Sequence, residues 1–189
     1  MSDSIDRRQN IIDVATHLFM QQSYGTTSMQ AIADAIGCTK AALYYHFKGG
    51  KREILQAVIE DSMSYIDSVQ KTVEAATLEA FIRQFMRHAL MSGRESSERL
   101  SWIYSSFHQF NPSEKQLFQE RELGFQRQLA ARIANYMVDE IEAERLAWLL
   151  ISATAGYAQI FWKLEMGDCV DYGPEAFIDH LARLGSRDG

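Results

Sequence analysis

Between Thr27 and Phe47 the chain carries two short apolar-periodic segments with Gly37 between them. The first segment has Ile32, Ala33 and Ile36; the second has Leu43 and Phe47. A glycine at this point stops the first helix and permits the positive φ of a tight turn. A new helix, Lys40 to Phe47, then starts within three residues. Two short helices joined by a three-residue, glycine-containing turn form a helix-turn-helix. Ala33 supplies a small side chain where the helices cross, and Ile32, Ile36, Leu43 and Phe47 can form their shared core.

The second helix has two unlike faces. Leu43 and Phe47 are four residues apart and therefore share one face. At 100° per residue, Ala41, Tyr45 and Lys48 point away from it, with Tyr44 and Lys40 at the edges. That outward set suits a phosphate-lined groove. Lysines bring charge, tyrosine hydroxyls can donate to phosphate oxygens, and the small Ala41 and Ala42 let the helix approach base edges. A core role is open to one of the two tyrosines, but not to both, because Tyr45 lies nearly opposite Leu43.

Helical periodicity continues on both sides. Ile11, Ile12, Ala15, Leu18 and Phe19 give one apolar face to a helix from Asp6 to Gln22, which Gly25 is expected to stop. Thr27-Ser-Met-Gln30 reads as a capping box opening the next helix. After Gly49-Gly50 a long helix starts near Lys51 and runs into the early seventies. Further helices are expected over Leu78–Ser92, Ser96–Phe110, Ser113–Val138, Glu142–Met166 and Pro174–Leu184. Asn111 before Pro112, with Glu114 beyond, marks one start, and Gly173-Pro174-Glu175 marks another. The expected fold class is all-α, with about nine helices. Residues 1–50 form the helix-turn-helix domain and residues 51–189 a larger helical domain. Only two prolines in 189 residues agree with this.

Charge separates the same two regions. The net charge is −6, yet residues 1–52 hold six Lys/Arg against four Asp/Glu, and the remainder holds 13 against 21. A basic head on an acidic body points to a polyanion at the head alone. The two cysteines, Cys38 and Cys169, have no metal-ligand spacing and no signal peptide before them, so a reduced cytoplasmic setting is expected. Leu146 to Trp162 is apolar over 17 residues but includes Ser152, Thr154, Gly156 and Gln159. A span needs about 20 apolar residues, so a buried helix is expected there and no membrane partner.

The stretch "FMQQSYGTTSMQAIADAIGCTKAALYYHFKGGKREIL" resembles the DNA-binding domain of the tetracycline-repressor (TetR) family of bacterial regulators. Gly25-Thr26-Thr27-Ser28, Ile32-Ala33, Ile36-Gly37, Leu43-Tyr44-Tyr45-His46-Phe47 and Lys51 carry the resemblance, which covers roughly the first 55 residues. It implies that Thr27 and Ser28 bond phosphate at the start of the second helix. It implies that Thr39, Lys40, Ala41 and Tyr44 meet bases or nearby sugars, and that Tyr45, His46, Lys48 and Lys51 clamp the backbone. His46, 60° from Leu43, reads equally well as a boundary histidine with a structural hydrogen bond. Many family members have one residue between the lysine after the aromatic run and the lysine opening the next helix. Here Gly49-Gly50 supplies two, which places the reach of Lys51 in question.

In Glu142–Met166, Leu146, Leu149, Leu150, Ala153, Tyr157, Ile160 and Phe161 line one face, and Trp148, Ile151, Ala155 and Trp162 occupy others. A helix apolar nearly all round is covered on several sides. The final helix adds Phe177, Ile178, Leu181 and Leu184. The resemblance implies that these two helices pair with their copies in a four-helix homodimer interface, the expected contacts being Leu146, Leu149, Leu150, Ala153, Tyr157, Phe161, Phe177 and Leu181. A monomer with a larger core is the plainer reading. The resemblance also implies a small-molecule effector pocket among the middle helices. Its expected lining is Phe85, Trp102, Tyr104, Phe107, His108, Phe125 and Thr154, although such aromatics are more often core. No basic pair marks an anionic effector, so the expected ligand is small and largely apolar or aromatic.

No nucleotide-cradling loop, G-x-S-x-G or H-E-x-x-H motif occurs, and none of the five histidines has metal spacing. No catalytic residue, metal or cofactor is expected. The competing readings are an all-α enzyme assembled from distant residues and a helical protein-interaction module. Salt-dependent, sequence-selective binding to double-stranded DNA separates a regulator from both.

Overall fold

The computed structural model describes the backbone of residues 2–92 and 94–186, and the side chains of 7–64, 73–91 and 98–186. Met1 and residues 187–189, at the ends of the two expected domains, lie outside it, as do the side chains of Asp3, Asp6, Ser92 and Ser96. Nine α-helices are present among the described residues: α1 (Ser2–Gln22), α2 (Met29–Ile36), α3 (Lys40–His46), α4 (Lys51–Thr72), α5 (Leu78–Arg87), α6 (Arg94–Ser106), α7 (Pro112–Ile133), α8 (Glu140–Tyr157) and α9 (Pro174–Gly185). The expected ends of four helices are not α-helical. Residues His88–Ser92 and Ala158–Lys163 widen into π-helical turns, and Phe107–Gln109 and Ala134–Tyr136 tighten into 3-10 turns. No helix is long and apolar enough to cross a membrane, among the residues described.

The chain divides into two compact units. One comprises residues 1–62 with 102–119, and the other residues 63–101 with 120–189. In the first unit, α1 packs on α2 and α2 on α3, and the buried side chains are Ile11, Ile12, Ala15 and Phe19 of α1, Ile32 and Ala33 of α2, Leu43 of α3 with Phe47 just beyond it, and Ile54, Leu55 and Val58 of α4. Each of the isoleucine, leucine, valine and phenylalanine side chains among these contributes about 1.5–3 kcal/mol by leaving water. The distant segment 102–119 belongs here through its aromatic rings. Trp102 stacks on Phe19 at 5.9 Å, and Phe110 meets Tyr24 edge-on at 5.7 Å. Leu18 recurs on the α1 pattern but Ile36 is only half-buried in the shared core.

Two starts and stops differ from the sequence reading. Helix α1 ends at Gln22, and the left-handed residue after it is Ser23, at φ 72°, rather than Gly25. The cap of α2 is Ser28, whose Oγ accepts from Ala31 N at 3.0 Å. That register moves Gln30 out of the capping-box position, and its amide donates to Asp34 Oδ1 instead. The turn glycine behaves as expected. Gly37 is left-handed at φ 74°, and the N–H of Cys38 reaches back to Ala33 O at 3.0 Å.

In the second unit, α5 buries Leu78, Phe81, Ile82, Phe85 and Met86, and packs along α9, which buries Ile178 and Ala182. Ion pairs rim the seam. Arg87 grips Glu175 with Nε on Oε1 at 3.0 Å and Nη2 on Oε2 at 2.6 Å, and Arg83 pairs with Asp179 and Glu79. Helix α8 is capped by Asp139, which accepts from Ile141 N and Glu142 N. Leu146, Leu150 and Tyr157 of α8 are buried within the chain itself. A side chain at Gly185 would meet Ile82 at 2.9 Å and Leu146 at 3.3 Å, which shows how closely α9 covers that face. These three residues therefore supply core and not a free face. The outward apolar residues of α8 are Ile141, Trp148 and Leu149, followed by Ile160 in the π turn. Ala153, Phe161, Phe177 and Leu181 are half-buried.

Candidate nucleic-acid interface

The candidate surface is built by α3 and the start of α2. Thr39 caps α3, its Oγ1 accepting from Ala42 N at 3.2 Å. With the cap fixed, the helix turns Leu43 inward to full burial, and Phe47 follows it. Lys40, Ala41, Tyr44, Tyr45 and Lys48 are exposed, as is Thr39. Tyr44 is 43% exposed and Tyr45 78%, so neither tyrosine is a core ring. Along α3 and the turn that follows it, where Lys48 lies, the exposed row joins two lysine ammonium groups and two phenol hydroxyls, donors for phosphates and base edges, with the methyl of Ala41, which can make an apolar contact.

Tyr44 is held by the glycine pair. Gly50 is left-handed at φ 65°, donates its N–H to Phe47 O at 2.9 Å, and lies so close to the phenol that a Cβ would sit 3.3 Å from Tyr44 Cε1. The N–H of Gly49 donates to Glu53 Oε2 at 2.7 Å, which ties the same turn to α4. The extra residue noted in the sequence is therefore an ordered turn with Tyr44 lying across it.

Two residues expected at the surface are placed otherwise. Thr27 is buried at 1% exposure, and its hydroxyl donates to Ser23 O at 2.8 Å. Its side chain folds the loop between α1 and α2 and leaves Ser28, which is exposed, as the polar group at the start of α2. Lys51 spends its ammonium protons on backbone carbonyls: Tyr24 O at 2.9 Å, Thr27 O at 2.9 Å and Gly25 O at 3.3 Å. An ammonium has three protons, so this lysine clamps the loop. Partial burial also lowers its pKa, a trend that the Glu114 carboxylate opposes.

His46 faces α1 rather than the exposed row. It meets Tyr45 edge-on at 5.2 Å and shares with Arg7, Asn10, Ile36, Cys38 and Ala42 the lining of a cleft of about 360 Å³. Arg8, also on α1, lies over the Phe47 ring at 4.8 Å.

The residues expected around an effector fall in different units. Trp102, Tyr104, Phe107 and His108 belong to the first unit, where Tyr104 and Phe107 pack on Phe118 at 5.5 and 5.9 Å and His108 bonds Ser105 O at 3.0 Å. Phe85, Phe125 and Thr154 belong to the second unit, where Phe85 stacks on Phe81 and the Thr154 hydroxyl reaches Leu150 O at 2.8 Å and Met86 Sδ at 3.4 Å. Aromatic spacing alone does not show which core a ring joins. No group of three or more His, Cys, Asp or Glu is placed to hold a metal ion, among the residues described.

Residues 11–58 match the family model for bacterial regulatory proteins of the tetR family. The chain is 33% identical over 106 residues to the HTH-type transcriptional regulator AcrR of Shigella flexneri, covering 54% of this chain and 49% of AcrR. It is 33% identical over 85 residues to the HTH-type transcriptional regulator LmrA of Bacillus subtilis (strain 168), covering 42% of this chain and 45% of LmrA. The chain thus spans about half the length of the curated relatives it matches. The fold as a whole is shared with the TetR family transcriptional regulator PfmR of Thermus thermophilus, at a TM-score of 0.70, 22% identity, and coverage of 94% and 97% of the two chains.

Proposed function

The chain belongs to the tetR family of bacterial regulatory proteins, and on that premise we propose that it is a cytoplasmic, ligand-responsive transcriptional regulator and not an enzyme. In this reading it acts as a repressor. A homodimer binds an inverted-repeat operator in double-stranded DNA, with α3 of each subunit in the major groove. Residues 1–50 are the DNA-binding domain, and residues 51–189 bind effector and dimerise.

The observation that carries this reading is the exposed row Lys40, Ala41, Tyr44 and Tyr45 on α3, continued by Lys48 in the turn after it, while Leu43 of α3 and Phe47 just beyond it are buried. Ser28 supports it from the start of α2. The outward apolar residues Trp148 and Leu149 of α8 support the dimer, since an apolar face of that kind is usually covered by a partner. We place the effector in the second unit, near Phe85, Phe125 and Thr154, and take it to be small and largely apolar. A ligand that prefers one separation of the two reading helices shifts the population toward or away from the DNA-binding form.

Binding to a duplex recovered from random fragments, measured across salt with and without a panel of apolar compounds, tests the reading. Sequence-selective retention with a steep salt slope supports it. A chain that retains no duplex at low salt contradicts it, and an affinity unchanged by every compound contradicts the effector part.

A further inference from the structure

We infer that Glu114 is a positioning residue for DNA recognition, holding the loop that launches α2 through the hydroxyl of Tyr24; this rests on the DNA-binding reading above. Glu114 is 90 residues away in sequence from Tyr24, yet its Oε1 accepts from the Tyr24 hydroxyl at 2.7 Å. Its Oε2 accepts from Asn111 N at 2.9 Å. The carboxylate is buried at 4% exposure.

Burying a carboxylate is costly unless its oxygens are bonded, and helix capping accounts for only one of the two, since Oε2 on Asn111 N closes a capping box at the start of α7. Asn111 Oδ1 already accepts from Ser113 N and Glu114 N, both at 3.0 Å, at the start of α7. What a charged acceptor adds is a short, strong bond to the phenol. Tyr24 is in turn held by its ring, edge-on to Phe19 at 5.2 Å and to Phe110 at 5.7 Å, with Lys51 Nζ 4.5 Å from the ring centre. Lys51 binds the carbonyls of Tyr24, Gly25 and Thr27 from the other side. The loop is thus fixed at its side chain and along its backbone, and the next residue is Ser28, the exposed cap of α2. The Glu114 carboxylate bonds Tyr24 and Asn111, neither of them in the exposed row; it sets where α2 begins.

The test uses the full chain and a duplex selected with the wild-type protein. Tyr24→Phe keeps the ring contacts and removes only the hydroxyl. It is expected to weaken binding to the selected duplex about tenfold, with a salt slope flatter by about 0.9 for the displaced phosphate contact. Glu114→Gln keeps an acceptor for the phenol and is expected to stay within about threefold of wild type, since a neutral bond has roughly half the strength of a charge-assisted one. A Tyr24→Phe protein with wild-type affinity and slope overturns the inference. So does a loss that only tracks the unfolded fraction, measured by thermal melting of the same samples. If the wild-type chain itself retains no duplex, the DNA-binding reading has failed, and that is visible before any variant is compared.

Discussion

The ammonium of Lys51 lies 2.9 Å from the carbonyl oxygen of Thr27, and the Thr27 hydroxyl donates to the carbonyl oxygen of Ser23 at 2.8 Å. Two polar side chains that could have met phosphate are thereby turned into the loop that supports the reading helices. The distinction between support and contact can be measured. Lys51→Met keeps the aliphatic stem but leaves three carbonyls without their donor. It should destabilise the protein by about 1–3 kcal/mol, lowering the thermal midpoint by several degrees. Its salt slope for DNA should match wild type.

Lys48→Ala should do the reverse. Lys48 is exposed, so thermal stability should stay within about 0.5 kcal/mol of wild type. The salt slope for DNA should flatten by about 0.9. Equal slopes for Lys48→Ala and wild type would remove Lys48 from the interface.

Gly50 should resist substitution. Gly50→Ala places a side chain at φ 65° and 3.3 Å from the Tyr44 ring. The left-handed backbone alone should cost about 1 kcal/mol, and the displaced phenol should add a loss of DNA affinity. Tyr44→Ala should lose the affinity without the instability, and calorimetric melting beside binding titration separates the two effects.

Neighbouring leucines on α8 should behave as opposites. Leu150 is fully buried and Leu149 is 50% exposed. Leu150→Ala should cost about 2–5 kcal/mol of stability. Leu149→Glu should leave the melting midpoint nearly unchanged and shift the sedimentation behaviour from dimer to monomer. A Leu149→Glu protein that remains dimeric would move the interface elsewhere.

The Arg87–Glu175 pair gives a pH dependence with a definite sign. The hydrogen bond and charge of Arg87 hold the Glu175 carboxyl below its ordinary value. A lowered folded-state pKa contributes stability above the unfolded pKa of about 4.3 and loses it as pH falls through the lower folded value. The pair is exposed, so the effect should be small. The melting difference between wild type and Glu175→Gln should shrink steadily from pH 6 to pH 3.

Much of the head was legible because it rests on local rules. The spacing of Leu43 and Phe47 fixed the buried side of α3, and Gly37 marked the turn. The register at Thr27 and Ser28 was not legible, since either hydroxyl can cap a helix and only the packed loop decides between them. Nor could the sequence distinguish the leucines of α8 that meet α5 and α9 from those that face outward, because the helix is apolar almost all round. The bond from Tyr24 to Glu114 joins residues too distant in the chain for any periodicity to connect, and the same distance hid the membership of residues 102–119 in the head.

Selection of bound duplexes from random fragments by the chain tests the central claim most directly. The expected result is an inverted repeat whose half-sites lie about 34–36 Å apart, one turn of DNA. Recovery should fail when Tyr44 and Lys48 are both replaced by alanine. A bound pool with no common sequence, or one that the double variant recovers equally well, would contradict the assignment of α3 as the reading helix.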